Sequence, residues 1–81
     1  MASRFTGILV ISGAKCVLDN ILLVIDDADC GGNINCTSRR ARDFFVNQGT
    51  PSGSTVTVCG VLTGNPPSEV IHMFRDESQC S

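Results

Sequence analysis

The first third of the chain decides the fold, and its residues 4–25 have the sequence RFTGILVISGAKCVLDNILLVI. Residues 4–12 place apolar side chains on both faces of an extended strand, because alternate positions of a strand point to opposite sides. Ser12 and Gly13 form a natural turn, and a short second strand is predicted over residues 15–18. The pattern therefore indicates two antiparallel strands, the first of them apolar on both faces.

A third strand is predicted after a turn that suits a hairpin. Asp19 and Asn20 are residue types that tolerate the backbone conformation of a tight two-residue turn. Residues 21–25 then form a continuous apolar run that ends at Asp26 and Asp27. A short apolar run with β-branched residues, bounded by turn residues, is typical of a buried strand. The chain is therefore expected to begin with three consecutive strands.

One helix is predicted over residues 38–48, after a loop. Thr37 or Ser38 is suited to cap its start, and Gly49 is suited to follow its last turn. The residues spaced i, i+3, i+4, i+7 along one face are Ala41, Phe44, Phe45 and Gln48. We expect this face to bury both phenylalanine rings in the core.

Two more strands are predicted after the helix. Residues 55–63 alternate, with three threonines facing outward and three apolar residues facing inward: Thr55, Thr57 and Thr63 against Val56, Val58 and Leu62. Gly60 in mid-strand indicates a bend, a bulge or a close approach of two backbones. The last strand is expected over residues 70–75, and the polar residues 76–81 are expected to form a flexible tail.

The order strand, strand, strand, helix, strand, strand resembles the oligonucleotide/oligosaccharide-binding (OB) fold. Gly7 lies early in the first strand, where strands of that family bend, and residues 53–62 look like the family's fourth strand. The resemblance covers roughly residues 4–75 and implies a mainly β fold, a five-stranded partly open Greek-key barrel with one helix between strands 3 and 4. It further implies a binding surface along strands two and three. The length of 81 residues separately predicts a single small domain over residues 1–81, with its core at about 4–75.

Composition narrows the classes of function. The 81-residue chain is 42% apolar, which is too apolar for a disordered protein, and it has no apolar run of the ~20 residues that a membrane helix needs. A net charge of −2 argues against binding nucleic acid by charge alone, although a local basic patch is compatible with it. Residues 7–11 are too short a core for a signal peptide, so a cytoplasmic location is expected.

Five cysteines are present, so any set of disulfides leaves one thiol unpaired. Cys30 and Cys36 are close enough in sequence to close a short loop if oxidised. Cys16 and Cys59 are interpreted as small buried apolar residues, as free cysteine commonly is. No Cys-x-x-Cys motif occurs, so no metal site and no cofactor are predicted.

Arg39, Arg40 and Arg42 form the most informative cluster of charge. On the predicted helix they fall in the first turn, where cations oppose the helix dipole. One explanation is structural, a set of ion pairs with acidic residues, the candidates being Asp26, Asp27, Asp29 and Asp43. The other is functional, an anion site in which guanidinium groups and helix N–H groups converge on a phosphate or a carboxylate.

These observations favour a non-enzymatic binding module. His72 is the only histidine, and no Ser/His/Asp set is evident from the sequence, so catalysis is not expected. The first hypothesis is binding of single-stranded nucleic acid, with phosphate contacts from Arg39, Arg40, Arg42, Lys15 and Arg75. The alternative is an adaptor or inhibitor that binds a protein, or a second copy of itself, through an exposed strand edge or the acidic loop. The absence of aromatic residues from strands two and three weakens the first hypothesis.

Overall fold

Five β-strands and one α-helix make up most of the chain in the computed structural model, which describes residues 2–26 and 28–81. The strands and the helix are β1 (Ser3–Ser12), β2 (Lys15–Leu18), β3 (Ile21–Val24), α1 (Ile34–Asn47), β4 (Thr55–Thr63) and β5 (Val70–Met73). Two short 3₁₀ helices lie at Ala28–Cys30 and Glu77–Cys80. The predicted order of the elements is confirmed.

The five strands form a closed barrel in the order β1-β2-β3-β5-β4. Strand β1 makes the closure possible because its first half pairs with β4 and its second half pairs with β2, both antiparallel. Strands β3 and β5 are parallel, and β4 pairs antiparallel with β5. The predicted mainly β fold, a five-stranded barrel with one helix between strands 3 and 4, is therefore confirmed, and the ring is closed rather than partly open.

The turn between β2 and β3 is locked onto β1. Asp19 and Asn20 both have positive φ, at 47° and 66°, as the predicted two-residue turn requires. The Ile8 N–H donates to the Asp19 carboxylate (2.8 Å), and the Asp19 N–H donates to the Ile8 carbonyl (3.0 Å). A Cβ at Gly7 would collide with that carboxylate. Glycine is therefore required in β1 because the turn rests against its backbone.

Gly60 has a comparable role where β4 meets β5. A Cβ at this position would lie 2.5 Å from the His72 carbonyl oxygen and 3.0 Å from the Met73 Cα. The close backbone approach that the sequence indicated is therefore observed. Leu62, predicted to face inward, is paired with the buried Ile71 but is itself 40% exposed near the end of β4.

Helix α1 begins four residues earlier than predicted, so the expected cap was wrong. Its N-cap is Asn33, whose side chain accepts the Asn35 N–H (3.0 Å). Thr37 and Ser38 are buried instead, and the Ser38 hydroxyl accepts the Cys16 N–H (3.0 Å). The arginine cluster consequently lies in the second turn and beyond, away from the N–H groups at the helix start.

The end of α1 agrees with the prediction. Gly49 has a φ of 76°, and its N–H donates to the Val46 carbonyl (3.0 Å). The Thr50 N–H donates to the Phe45 carbonyl (3.0 Å), which completes the pair of bonds typical of a glycine-terminated helix. This geometry fixes where the chain leaves the helix for β4.

The core fills the barrel interior and the contact between the barrel and α1. It consists of Leu9, Cys16, Leu18, Leu23, Ile25, Ala41, Phe45, Val58, Ile71 and Met73. Phe45 is buried as predicted, whereas Phe44 is only half-buried and packs edge-on against it, with ring centroids 5.2 Å apart. One of the two predicted aromatic anchors therefore remains partly accessible to a ligand.

Two disulfides correct the interpretation of the cysteines. Cys30 bonds to Cys36, as the short loop allowed, and Cys59 bonds to Cys80. Cys59 is buried as expected, but it is not a free thiol. Cys16 is the free cysteine, and burial raises its pKa to about 11.

The C-terminal segment 76–81, expected to be a flexible tail, contains a 3₁₀ helix that the Cys59–Cys80 disulfide joins to β4. Asp76 caps this helix by accepting hydrogen bonds from the Ser78 N–H (3.0 Å) and hydroxyl (2.7 Å), and these two bonds lower the pKa of Asp76. The Arg4 guanidinium donates to the Cys80 carbonyl (3.2 Å), which adds a second link to the barrel.

Candidate binding surfaces

The five cations predicted to contact phosphate do not share one surface. Arg39, Arg40 and Arg75 line one groove of about 300 Å³ beside the helix. Arg42 points to the β1–β2 turn, where its guanidinium donates to the Gly13 carbonyl (3.0 Å). Lys15 begins β2, after the same turn. The structure thus divides the predicted set into a groove with three arginines and a separate pair of cations.

Two arginines of the cluster have the ion pairs that the structural explanation required. Arg40 contacts Asp29 (2.8 Å), and Arg42 contacts Asp43 (2.7 Å). A third candidate acid, Asp26, contacts a histidine instead. The fourth candidate, Asp27, lies outside the described residues. Both arginine pairs are partly exposed, so each stabilises the fold by at most about 1 kcal/mol.

The outer face of the barrel carries a row of aliphatic side chains that crosses four strands. The strand register places Val10 opposite Val17, Val17 opposite Leu22, and Leu22 opposite Val70. Paired positions project to the same side of a sheet, so the four side chains lie in one line. Their neighbours along the strands, such as Leu9, Leu18, Leu23 and Ile71, point inward and are buried.

Ile8 extends this row along β1. We call the whole surface the aliphatic face, and it consists of Ile8, Val10, Val17, Leu22 and Val70. Ile8 is 45% exposed and Val10 is 41% exposed, while the other three are half-buried. At its margin, Leu22 lines a cavity of about 230 Å³ with Lys15 and Ile34. The sequence carried a signal for this surface, because β1 is apolar on both of its faces.

Threonines border the aliphatic face on the side of β4. Thr55 is paired with Ile8, and Thr57 is paired with Thr6 through hydroxyl groups 2.8 Å apart. Thr55, Thr57 and Thr63 are all exposed, so the predicted outward row of threonines is confirmed.

A hydrogen-bonded chain joins Asp26, His72 and Thr63, which sequence reasoning did not assemble. His72 Nδ1 lies 2.6 Å from an Asp26 carboxylate oxygen, and His72 Nε2 lies 2.9 Å from the Thr63 hydroxyl. This order of groups is that of a nucleophile, a base and an orienting acid. The chain joins the ends of three adjacent strands.

The closed barrel changes how a partner can dock. Each of the five described strands pairs with two neighbours, so none presents a wholly unpaired edge. Addition of a partner strand at an exposed edge, which was one predicted mode of binding, stays a prediction. It would have to use part of a strand that has no neighbour in the ring, since β1 pairs with β4 only over residues 3–8 and with β2 only over residues 9–12.

No protein-family model, curated protein or solved structure matches this chain. Among the described residues, no helix has the length and apolar character that crossing a membrane requires. The same residues contain no group of three or more His, Cys, Asp or Glu side chains placed to hold a metal ion.

Proposed function

We propose that the chain is a non-enzymatic module that binds a partner protein through the aliphatic face. The observation that carries this proposal is the unbroken row of aliphatic side chains across four strands of the barrel. Isolated exposed apolar residues are ordinary on protein surfaces, whereas a contiguous patch is typical of an interface. Burying such a patch against a partner gains about 25 cal/mol for each Å² of apolar surface removed from water.

The composition of the face favours a protein over a nucleic acid. Its aliphatic side chains offer no aromatic plane on which a base can stack, and single-strand binders depend on such planes together with a basic groove. Lys15 at the margin and the threonines beside Ile8 form a polar rim around an apolar centre, which is the usual anatomy of a protein interface. The expected partner surface is flat and aliphatic, with a carboxylate placed to meet Lys15.

The topology of the barrel supports the location of this surface. The strand order is compatible with an OB-like barrel, and barrels of that kind bind ligands along strands two and three. Val17 and Leu22, at the centre of the aliphatic face, lie on those two strands. The proposed binding surface is therefore the one that the resemblance to the OB fold implies, but the proposed ligand is a protein.

The two disulfides favour an oxidising compartment over the cytoplasmic location expected from the sequence. Stable disulfides are typical of proteins that fold outside the reducing cytosol, and small domains use them to supplement a modest core. Both bridges close loops of this one chain, Cys30–Cys36 and Cys59–Cys80. We therefore place the interaction in an oxidising environment.

One pair of variants tests the proposed function. Val17→Glu puts a charge at the centre of the aliphatic face, whereas Val46→Glu makes the same change on α1, where Val46 is 55% exposed. In affinity purification from cells of the source organism, we expect at least one protein to be retained by the wild type and by Val46→Glu. Its yield should fall at least tenfold with Val17→Glu, because a charge buried without a partner opposes binding strongly.

Circular dichroism and thermal melting establish first that both variants are folded. The proposal is contradicted if Val17→Glu and Val46→Glu retain the same proteins in the same amounts. It is also contradicted if nuclease treatment removes what the wild type retains.

A further inference from the structure

A second surface, separate from the aliphatic face, lies between α1 and the residues that follow β5. Its groove is lined by Arg39, Arg40, Asp43, Phe44, Asn47 and Arg75. Arg39 and Arg40 come from the helix, and Arg75 comes from the segment after β5, so the fold brings together cations that are distant in sequence. A volume of about 300 Å³ is suited to a ligand about as large as one nucleotide.

Among the described residues, three guanidinium groups and one carboxylate line this groove. Asp29 contacts Arg40, and the carboxylate of Asp43 accepts two hydrogen bonds from Arg42, at 2.7 and 3.0 Å. Arg39, Arg40 and Arg75 therefore converge on one groove of a chain whose net charge is −2. Planar guanidinium groups with several N–H donors are well matched to phosphate oxygens.

The groove also supplies the aromatic element that the aliphatic face lacks. Phe44 is half-buried, and the Arg75 guanidinium lies over its ring at 5.9 Å from the centroid. Packing on Phe45 at 5.2 Å fixes the Phe44 ring at the surface. A guanidinium stacked on an aromatic ring is a platform on which nucleic-acid bases also stack.

Acidic residues next to the groove limit the number of phosphate groups that a ligand can place there. A neighbouring groove of about 520 Å³ shares Phe44 and Arg75, and the acidic residues Asp76 and Glu77 also line it. Those carboxylates would repel a second phosphate placed beyond Arg75. The site therefore suits one phosphate group and one base rather than a long strand.

From this geometry we propose that the groove of Arg39, Arg40, Arg75 and Phe44 binds a nucleoside phosphate unit. The phosphate contacts Arg39 and Arg40, and the base stacks on the Arg75–Phe44 pair. The unit is either a free nucleotide or one nucleotide of a single strand, since both present the same phosphate and base. No residue of the aliphatic face takes part, so this proposal and the proposed protein-binding function stand or fall separately.

Equilibrium binding to three probes tests the site: inorganic phosphate, adenosine 5′-monophosphate and a fluorescent ten-residue oligodeoxyadenylate. The measurements are made with the full oxidised chain at low ionic strength, about 20 mM, where weak contacts to phosphate are least screened. Arg39→Gln and Arg75→Gln each remove one positive charge from the groove. Lys15→Gln removes one positive charge outside the groove, since Lys15 lines a different cavity, and is the matched control.

We expect the nucleotide to bind more tightly than inorganic phosphate, because the base adds stacking. Each groove variant should weaken nucleotide binding about five- to tenfold, as expected for losing a charge-assisted phosphate contact or a stacking platform, while Lys15→Gln changes it less than about twofold. If the oligonucleotide also binds, its affinity should fall with salt, and Arg39→Gln should reduce that slope by about 0.7. Binding of the nucleotide alone identifies a free nucleotide as the source.

Three results would overturn the proposal. The first is the absence of saturable nucleotide binding by the folded wild type. The second is equal affinity for inorganic phosphate and the nucleotide, which would indicate a simple anion site. The third is an equal loss of affinity in Lys15→Gln and Arg75→Gln, which would indicate attraction by overall charge.

Discussion

Replacing Cys59 and Cys80 together with alanine is expected to lower the free energy of unfolding by about 3 kcal/mol. The disulfide closes a loop with a sequence separation of 21, and in the chain-entropy model a loop of that size stabilises the folded state by about this amount. In a domain of 81 residues the loss corresponds to a fall in melting temperature of roughly 15 °C. Denaturant unfolding of the oxidised wild type and the double variant measures it.

Cys30→Ala with Cys36→Ala is the comparison for this experiment. The sequence separation of Cys30 and Cys36 is only 6, so the chain-entropy model gives a loss in the free energy of unfolding that is about 1 kcal/mol smaller than for Cys59 and Cys80. Unfolded but unreduced wild type should expose one reactive thiol, that of Cys16. Three reactive thiols, or a Cys59→Ala/Cys80→Ala variant as stable as the oxidised wild type, would contradict this account of the C-terminal segment.

Leu23→Ala is expected to destabilise the barrel by about 2–5 kcal/mol. Leu23 is fully buried on β3, and its register partner Ile71 on β5 is buried as well, so the truncated side chain leaves a cavity that neighbouring strands fill only in part. A loss of this size is a large share of the 5–15 kcal/mol that stabilises most small domains. Thermal and urea unfolding measure the change.

Leu62→Ala makes the same chemical change at an exposed position near the end of β4. Leu62 is 40% exposed, so its truncation should cost less than about 1 kcal/mol. A similar loss in both variants would show that the buried and exposed positions of the strands are assigned incorrectly. That outcome would also remove the basis of the aliphatic face.

Local chemistry made several elements predictable from the sequence. Asp19 and Asn20 tolerate positive φ, and Gly49 adopts it readily, so the hairpin turn and the helix end were identified from single residues. Gly60 signalled the close approach of β4 and β5 because a side chain there has no room. Each of these predictions depended on backbone geometry within a few residues.

The start of the helix was not predictable in the same way. Asn33, Thr37 and Ser38 all have side chains that can cap a helix. The choice among them is made by burial, because Thr37 and Ser38 are enclosed against the barrel and Ser38 bonds to the backbone of Cys16, 22 residues away. Since that contact is long-range, helix propensity alone placed the start four residues too late.

Neither the binding surfaces nor the disulfide pairing could be predicted from the sequence. Both depend on contacts between distant residues, which sequence patterns do not supply. The aliphatic face exists because Val10, Val17 and Leu22 align across three strands. The pairing of Cys59 with Cys80 was likewise open, because connectivity cannot be deduced from spacing. The predicted cations were likewise separated by tertiary contacts: Arg42 bonds to the backbone of the β1–β2 turn, and Arg39 lines the groove.

Site-specific photo-crosslinking can detect contact between the aliphatic face and a partner protein. A benzophenone-bearing residue is introduced at Val10 on the face or at Val46 on α1, both of which are exposed, and cells of the source organism are irradiated. The account predicts a discrete adduct from position 10 that protease destroys and nuclease leaves intact, with none from position 46. An adduct of twice the chain's mass would identify the partner as a second copy. Equal labelling from both positions, no adduct from position 10, or a nuclease-sensitive adduct would contradict the account.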